Sequence, residues 1–123
     1  MQLELEKGTG NVIVSFSQRV VRINNEEIKS NVIISATNII EDWIAPPVDK
    51  LRIADFESIL DLGPEVILLG TGDTQVFPPA QLMTDIMRRG VGLEIMNTGA
   101  ACRTYNVLMA EQRRVVAALM LDR

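Results

Sequence analysis

A stretch of alternating strand and helix patterns, residues 64–121, constrains the fold of this chain more than any other part of it. It opens with Pro64-Glu65-Val66-Ile67-Leu68-Leu69-Gly70-Thr71-Gly72, in which four consecutive residues are large and apolar. A strand that is apolar on both faces is typical of the middle of a parallel sheet, where other elements cover both sides. A further strand is predicted at residues 93–96, and a second continuous apolar run follows at residues 115–121. The stretch therefore predicts a βαβαβ unit.

The first predicted helix lies between the first two of these strands. Pro78-Pro79 can occupy its first turn, where a missing N–H group costs little. Gly90 follows the basic pair Arg88-Arg89 and predicts the C-terminal end of the helix. Its predicted buried stripe consists of Leu82, Met83, Ile86 and Met87.

The second predicted helix begins at Thr98-Gly99, with Thr98 as its cap. Its predicted buried side consists of Ala101, Tyr105, Leu108 and Met109. We expect the hydroxyl of Tyr105 to reach a hydrogen-bond partner or water. Gln112 lies between this helix and the last strand, where a residue with positive φ ends a helix most easily.

The first third of the chain has the pattern of a small β-meander. Two short antiparallel strands are predicted within residues 11–23, and Asn24-Asn25 predicts a turn because asparagine tolerates positive φ. A third strand is predicted at residues 31–35, and Ile28 could begin it.

Residues 37–54 predict a connection laid over the domain, because Pro46-Pro47 disfavours a helix and removes backbone donors. This segment carries Trp43, which is either a plug over one end of the core or an exposed anchor for a partner. We favour the plug, because large aromatic side chains are mostly buried in monomers. A short helix is predicted from Asp55, with Asp55 as its N-cap.

These elements predict a single α/β domain over residues 1–123 with three layers. In this architecture the N-terminal β-meander packs on a mixed, largely parallel sheet that carries two main helices. If successive strands progress in one direction, right-handed crossovers place both helices on the same face and leave the other face to the meander.

Charge and residue types exclude several functions. The net charge is −4 and the longest basic runs are pairs, so we expect no nucleic-acid partner. The chain has no histidine and one cysteine, Cys102. This excludes Ser-His and Cys-His nucleophile pairs, Cys/His metal clusters and an intrachain disulfide. We therefore assign no catalytic residue, no metal site and no cofactor.

We expect a cytoplasmic protein. No apolar stretch approaches the roughly 20 residues that span a bilayer, so no membrane span is predicted. Residues 1–7 alternate acidic and apolar side chains, where a signal peptide has a basic start and an apolar run. The lone cysteine fits a reducing compartment.

Gly70-Thr71-Gly72 follows a buried strand and invites comparison with a dinucleotide-binding loop. That motif requires a third glycine and an immediate helix, whereas here Gln75 occupies the glycine position and Phe77-Pro78-Pro79 delays the helix. We favour a tight turn that leaves the strand.

The start of the second helix is a better candidate for a ligand. Thr98 and Gly99 begin a helix whose free N–H groups and dipole favour anions, and Arg103 follows about one turn later. The alternative, which we favour, is that Thr98 only caps the helix and Arg103 pairs with a surface acid. Cys102 could have a lowered pKa there, but we favour a small buried apolar side chain.

The chain resembles a family of small uncharacterised domains. The resemblance lies in residues 64–72, in Phe77-Pro78-Pro79, and above all in Thr98-Gly99-Ala100-Ala101-Cys102-Arg103-Thr104-Tyr105-Asn106-Val107-Leu108 with Glu111 and Arg113-Arg114. The family includes the mitochondrial respiratory complex I assembly factor 3 and an adipogenesis-associated domain protein. The resemblance implies a three-layer α/β domain, a non-catalytic assembly role in the mitochondrial member, and no catalytic residues. The chain departs from the family at Gln112, where such sequences usually have glycine.

Two functional hypotheses follow. The first is a non-enzymatic interaction protein with a protein partner, such as an assembly factor for a respiratory complex. The second is a protein or enzyme that binds a small anion or metabolite in the crevice at residues 70–72 and 98–103. Its candidate ligand-binding residues are Gly70, Thr71, Gly72, Thr98, Gly99 and Arg103. The sequence does not predict an oligomeric state.

Overall fold

The computed structural model describes residues 10–121, so the pattern at residues 1–7 and the outer domain boundaries lie outside the described residues. Within this range the strands form two sheets. The smaller sheet has the order β1-β2-β3 and is antiparallel throughout. Its strands are β1 (Ile13–Ser17), β2 (Val20–Ile23) and β3 (Glu26–Ile28). This is the predicted N-terminal meander.

The larger sheet carries the rest of the described strands, in the order β5-β4-β8-β6-β7. Its strands are β4 (Val32–Ile34), β5 (Ile39–Glu41), β6 (Val66–Gly70), β7 (Gly92–Met96) and β8 (Val115–Leu119). β6 pairs in parallel with both β7 and β8, whereas β4 pairs antiparallel with β8 and β5. All residues of β6 and β8 are buried, which confirms the prediction of strands covered on both faces.

The helices and the smaller sheet cover the two faces of the larger sheet. They are two 3-10 helices (Val48–Lys50 and Ile53–Phe56), α1 (Glu57–Leu60), α2 (Ala80–Arg88) and α3 (Thr98–Ala110). One apolar cluster joins α3 and the smaller sheet to one face of the larger sheet. The other cluster joins α2, α1 and the 3-10 segments to the opposite face. The mixed, three-layer α/β fold is thereby confirmed.

The expectation that both main helices lie on one face is wrong. The crossover from β6 through α2 ends at β7, on one side of β6, whereas the crossover from β7 through α3 ends at β8, on the other side. Right-handed crossovers that run in opposite directions place their helices on opposite faces. The predicted arrangement required successive strands to progress in one direction, and they do not.

The first third of the chain also differs from the prediction. The third strand of the meander is β3, and Val21 lies opposite Ile28 across a turn at which Asn24 has φ 54°. The predicted third strand, residues 31–35, instead contributes β4 to the larger sheet. Every residue of β4 is buried, so it requires cover on both faces that the meander cannot supply. β5 was missed, because its three residues lie within the predicted connection.

Trp43 is a plug, as the sequence predicted. It is 7% exposed, and its ring meets that of Phe56 edge-on with the centroids 5.8 Å apart. Its indole N–H donates to the carbonyl oxygen of Asp55 at 3.2 Å. Asp55 is not an N-cap, because the 3-10 turn begins at Ile53 and the Asp55 carboxylate accepts from the N–H of Arg52 at 2.9 Å.

The ends of α2 agree only in part with the predictions. Gly90 has φ 76° just beyond the helix and ends it as predicted. The prolines precede the first turn, because Pro79 has an extended ψ of 144° and stands at the N-cap. Leu82 and Ile86 are fully buried, but Met87 is 73% exposed and does not belong to the apolar stripe.

The C-terminal end of α3 has the geometry expected at Gln112. Gln112 has φ 62°, and its N–H donates to the carbonyl oxygen of Met109 at 2.9 Å. The N–H of Arg113 donates to the carbonyl oxygen of Leu108 at 3.0 Å. These two bonds form a Schellman motif, whose left-handed residue is usually glycine because a Cβ atom is disfavoured there.

We therefore expect Gln112→Gly to raise the free energy of unfolding by about 1 kcal/mol, because glycine removes the Cβ penalty at this φ. Urea denaturation measures the change. Glu111→Gly is the matched control: Glu111 has φ −84°, so glycine there relieves nothing and should lower stability. An unchanged or lower midpoint for Gln112→Gly would contradict the prediction.

Candidate functional site

The loops after β6 and β7 meet at one edge of the larger sheet, as the parallel strands predicted. The carbonyl oxygen of Met96 accepts from the N–H of Thr71 at 2.9 Å. The N–H of Thr98 donates to the carbonyl oxygen of Gly72, also at 2.9 Å. The structure therefore brings together the candidate residues Gly70, Thr71, Gly72 and Thr98.

The hydroxyl of Thr98 fastens this junction. It donates to the carbonyl oxygen of Met120 at 2.8 Å and accepts from the N–H of Gly72 at 2.7 Å. Thr98 is completely buried. It is not the helix cap, because the side chain of Asn97 accepts the N–H of Ala100 at 2.8 Å. Thr98 thus connects the loop after β6, the start of α3 and the end of β8.

Gly70 lets α3 approach β6 closely. A Cβ atom at Gly70 would stand 3.0 Å from the Cα of Thr98 and 3.2 Å from the Cβ of Ala101. The following loop is tight, since Gly72 has φ 98°. The hydroxyl of Thr71 donates to the carbonyl oxygen of Thr74 at 2.6 Å. This geometry agrees with the interpretation of the loop as a tight turn that leaves a buried strand.

Most N–H groups at the start of α3 are already bonded. Besides those of Thr98 and Ala100, the N–H of Ala101 donates to the carbonyl oxygen of Asn97 at 2.9 Å. Within residues 10–121, Gly99 has the one N–H of this turn for which we find no acceptor. An anion at this helix start would therefore meet Gly99 and few other backbone donors.

Arg103 and Gly99 line a different surface from the Gly70–Gly72 loop. They border a shallow pocket of about 130 Å³ between β1 and α3, together with Ser15, Phe16 and Asn106. A Cβ atom at Gly99 would lie 3.6 Å from Nη1 of Arg103, so the guanidinium lies close to the helix start. Of the six predicted residues, Gly70, Thr71, Gly72 and Thr98 therefore lie in a closed junction. Gly99 and Arg103 lie at this pocket.

Two groups near the pocket are buried and protonated. Cys102 is 4% exposed, and burial raises the pKa of its thiol to about 12 despite the charge of Arg103. Cys102 is the predicted buried apolar side chain. Burial also raises the pKa of Tyr105, whose hydroxyl donates to the carbonyl oxygen of Asn11 at 2.8 Å. This confirms the prediction that the hydroxyl has a partner.

Sequence reasoning missed a charged cluster at the opposite end of the sheet. The carboxylate of Glu65 accepts from the N–H of Arg114 at 2.9 Å and from Nε of Arg113 at 3.0 Å. Both hydrogen bonds lower the pKa of Glu65, and the bond from the backbone N–H of Arg114 has the larger effect. Glu65 is 48 residues from Arg113 in the sequence, and the only signal was the place of these residues in the family resemblance.

No group of three or more potential metal ligands comes together among residues 10–121. No helix in that range has the length and apolar character needed to cross a membrane.

The three-layer architecture, with its mixed five-stranded sheet, places the chain in the class of small mixed α/β domains. Within that class the chain belongs to the family described as "Protein of unknown function (DUF498/DUF598)", whose model matches residues 13–120. This confirms the resemblance found in the sequence.

Individual proteins support the same assignment. The "13 kDa major membrane protein" of Francisella tularensis subsp. holarctica is 35% identical over 76% of this chain and 76% of its own length. The NADH dehydrogenase (ubiquinone) 1 alpha subcomplex assembly factor 3 of Danio rerio is 28% identical over 96% of this chain and 68% of its own length. A crystal structure of a Bordetella parapertussis protein is 30% identical with a TM-score of 0.85, covering 93% of this chain and 98% of that protein.

The Thr98 junction predicts a specific pattern of stability. Thr98→Val should lower the free energy of unfolding by about 3 kcal/mol, because two buried backbone groups lose their partner. Thr98→Ser keeps the hydroxyl and should cost only about 1 kcal/mol for the lost methyl group. Urea denaturation of both variants tests this, and equal losses for valine and serine would rule out the hydroxyl as the source of stability.

Proposed function

We propose that this protein is a non-enzymatic binding protein that takes part in the assembly of a respiratory complex. The names of its relatives from several animals support an assembly role, because they are assembly factors of NADH dehydrogenase. The partner would be a protein subunit of such a complex. The protein itself would act in the cytoplasm, and it would be found partly with membranes if the complex is bound there.

An open sheet edge carries this proposal. β7 is the last strand of the larger sheet, and the carbonyl oxygen of Met96 faces β6, where it accepts from Thr71. Backbone groups alternate in direction along a strand, so those of Leu93 and Ile95 face away from β6. The side-chain amide of Gln75 donates to the carbonyl oxygen of Ile95 at 2.8 Å. Among residues 10–121, the backbone N–H and carbonyl groups of Leu93 and the N–H of Ile95 have no hydrogen-bond partner.

Apolar side chains stand beside this edge. Gln75 is followed by Val76 and Phe77, which are 41% and 60% exposed. An exposed phenylalanine next to unpaired strand groups is typical of a surface that takes up an extended segment of another protein. Main-chain hydrogen bonds would then supply affinity, and contact with Phe77 would supply selectivity.

The charge on β7 favours a different protein over a second copy of this chain. If two copies paired antiparallel, with Leu93 opposite Ile95 of its partner copy, the two exposed Glu94 side chains would face each other. Like charges directly opposite each other destabilise a strand pair. A strand with a basic or neutral residue opposite Glu94 avoids that cost.

Complementation of a deletion strain tests the proposal. We expect loss of the gene to reduce the amount of assembled NADH dehydrogenase on native gels and the wild-type chain to restore it. Phe77→Asp should weaken binding to the partner about tenfold or more, because it replaces a central aromatic contact by a charge. It should therefore fail to restore assembly at native expression levels.

The matched control is Val107→Asp, which places the same charge at a residue of α3 that is 57% exposed and away from β7. Both variants should fold with melting temperatures near that of the wild type. If Phe77→Asp restores assembly as well as Val107→Asp does, the edge of β7 is not the binding surface. If deletion leaves the complex unchanged, the assembly role is wrong.

A second candidate function is the binding of a small anion or metabolite at the start of α3. It is supported by the pocket of about 130 Å³, by the guanidinium of Arg103 and by the unbonded N–H of Gly99. Residues Gly70, Thr71, Gly72 and Thr98 would act indirectly, by fixing the helix start. An enzymatic use of the same crevice belongs to this alternative.

Phosphate is the probe for this candidate. If phosphate binds, a free phosphate concentration of ten times its Kd should raise the free energy of unfolding by roughly 1.4 kcal/mol. It should also raise the melting temperature at constant ionic strength. Constant ionic strength matters, because screening alone could stabilise a chain of net charge −4. Arg103→Ala should weaken the response, whereas Arg88→Ala, on α2, should leave it unchanged. A response that Arg103→Ala leaves intact would place the anion elsewhere.

A further inference from the structure

A cavity of about 780 Å³ lies at the end of the larger sheet opposite Thr98, beside the C-terminal end of α3. It forms because β4 ends at Ile34, opposite Ala117, after which the chain turns away. The first residues of β8, Val115 and Val116, therefore have no strand beside them on that side. The volume falls within the range of roughly 300 to 1,000 Å³ that is usual for small-molecule sites.

The wall of this cavity is largely apolar. It includes side chains from both clusters of the core and from the segment that precedes β1. The apolar residues of its lining include Val12, Ala36, Leu62, Met109, Val115 and Val116. An extended aliphatic chain would replace water along this wall, which is favourable in proportion to the apolar area covered.

The rim of the cavity carries an incompletely neutralised positive charge. Arg113 is paired with Glu65 through its Nε at 3.0 Å. Arg114 donates from Nε to the carbonyl oxygen of Gly63 at 3.2 Å, and its Nη1 is 4.0 Å from Glu65. The side chain of Arg114 is 73% exposed. Two guanidinium groups thus share one carboxylate, and Arg114 keeps N–H groups for another anion.

The helix terminus beside this rim opposes an anion only weakly. The C-terminal end of a helix has a partial negative charge, which resides on unpaired carbonyl groups. Here the carbonyl oxygens of Leu108 and Met109 accept from the N–H groups of Arg113 and Gln112. With these carbonyl groups bonded, the guanidinium of Arg114 is the dominant charge at the mouth of the cavity.

We propose that this cavity binds a long-chain carboxylate, with the acyl chain against the apolar wall and the carboxylate on Arg114. The combination of a largely apolar wall and the open guanidinium of Arg114 matches a molecule with one anionic head group and one aliphatic tail. This site is separate from the edge of β7 and does not depend on the assembly role.

Titration of the full chain with dodecanoate below its micellar concentration tests the proposal, with amide chemical shifts and calorimetry as readouts. One dodecanoate should bind per chain and shift the amides around Ala36, Met109 and Val115. Decanoate, which is two methylenes shorter, should bind roughly 16-fold more weakly, since each buried methylene contributes about a fourfold change in affinity. Dodecyltrimethylammonium, whose alkyl tail is one carbon longer and whose charge is opposite, should bind at least tenfold more weakly than dodecanoate.

Three variants locate the head group and the tail. Arg114→Gln should weaken dodecanoate binding about tenfold, because a charge-assisted hydrogen bond is lost. Ala110→Trp places a large ring on the cavity wall and should abolish binding, although Ala110 is exposed and the helix tolerates the change. Arg88→Gln, on α2, removes the same charge elsewhere and should leave binding unchanged.

Several outcomes would overturn the proposal. Equal binding of the cationic amphiphile would exclude recognition by Arg114, and equal binding by Ala110→Trp would exclude this cavity. Absence of dodecanoate binding would exclude the ligand class. If the same amides shift with protein concentration alone, the cavity is a surface for self-association instead.

Discussion

The close approach of α3 to β6 is the constraint on which the rest of the structure depends. Gly70 permits it by having no Cβ atom, and the buried hydroxyl of Thr98 fixes it by bonding the loop after β6 and Met120. α3 in turn holds the smaller sheet, because the side-chain amide of Asn106 bonds both the N–H and the carbonyl oxygen of Ile13, at 3.0 and 2.7 Å. Each buried polar group would cost about 1 to 3 kcal/mol without its partner, so these few bonds select one packing arrangement.

The elements between residues 64 and 121 could be predicted because their signals are local. Uninterrupted apolar runs identify β6 and β8, and Gly90 and Gln112 mark helix ends where the backbone needs positive φ. Strand order has no such signal. β8 pairs with β6 on the side opposite β7, and β4, from the first third of the chain, pairs with β8. These pairings depend on packing between segments that are distant in the sequence. Three-residue strands such as β4 and β5 are too short for a reliable periodicity.

The candidate site could likewise be predicted only in part from the sequence. The ends of neighbouring parallel strands meet at one sheet edge, which was enough to expect Gly72 near Thr98. The sequence could not show whether the hydroxyl of Thr98 faces a ligand or a neighbouring loop, because that depends on the exact height of α3 above the sheet. The outward groups of β7 and the gap beside Val115 are properties of strand order and register. No local pattern in the sequence marks them.

The edge of β7 and the cavity beside the end of α3 do not use the hydrogen bonds of the Thr98 hydroxyl, so a partner or ligand can bind at either without breaking them. Such preorganisation lowers the cost of association.

The rim of the cavity is stabilised by a separate set of interactions around Glu65. Hydrogen bonds from the Arg114 N–H and from Arg113 lower the pKa of Glu65, so its carboxylate stays ionised at neutral pH. A lowered pKa means that the cluster stabilises the fold above the unfolded pKa of this carboxyl and loses that contribution as pH falls through the folded pKa. Near neutral pH, Glu65 therefore holds Arg113 and the turn that follows α3, while Arg114 remains open to an anionic head group.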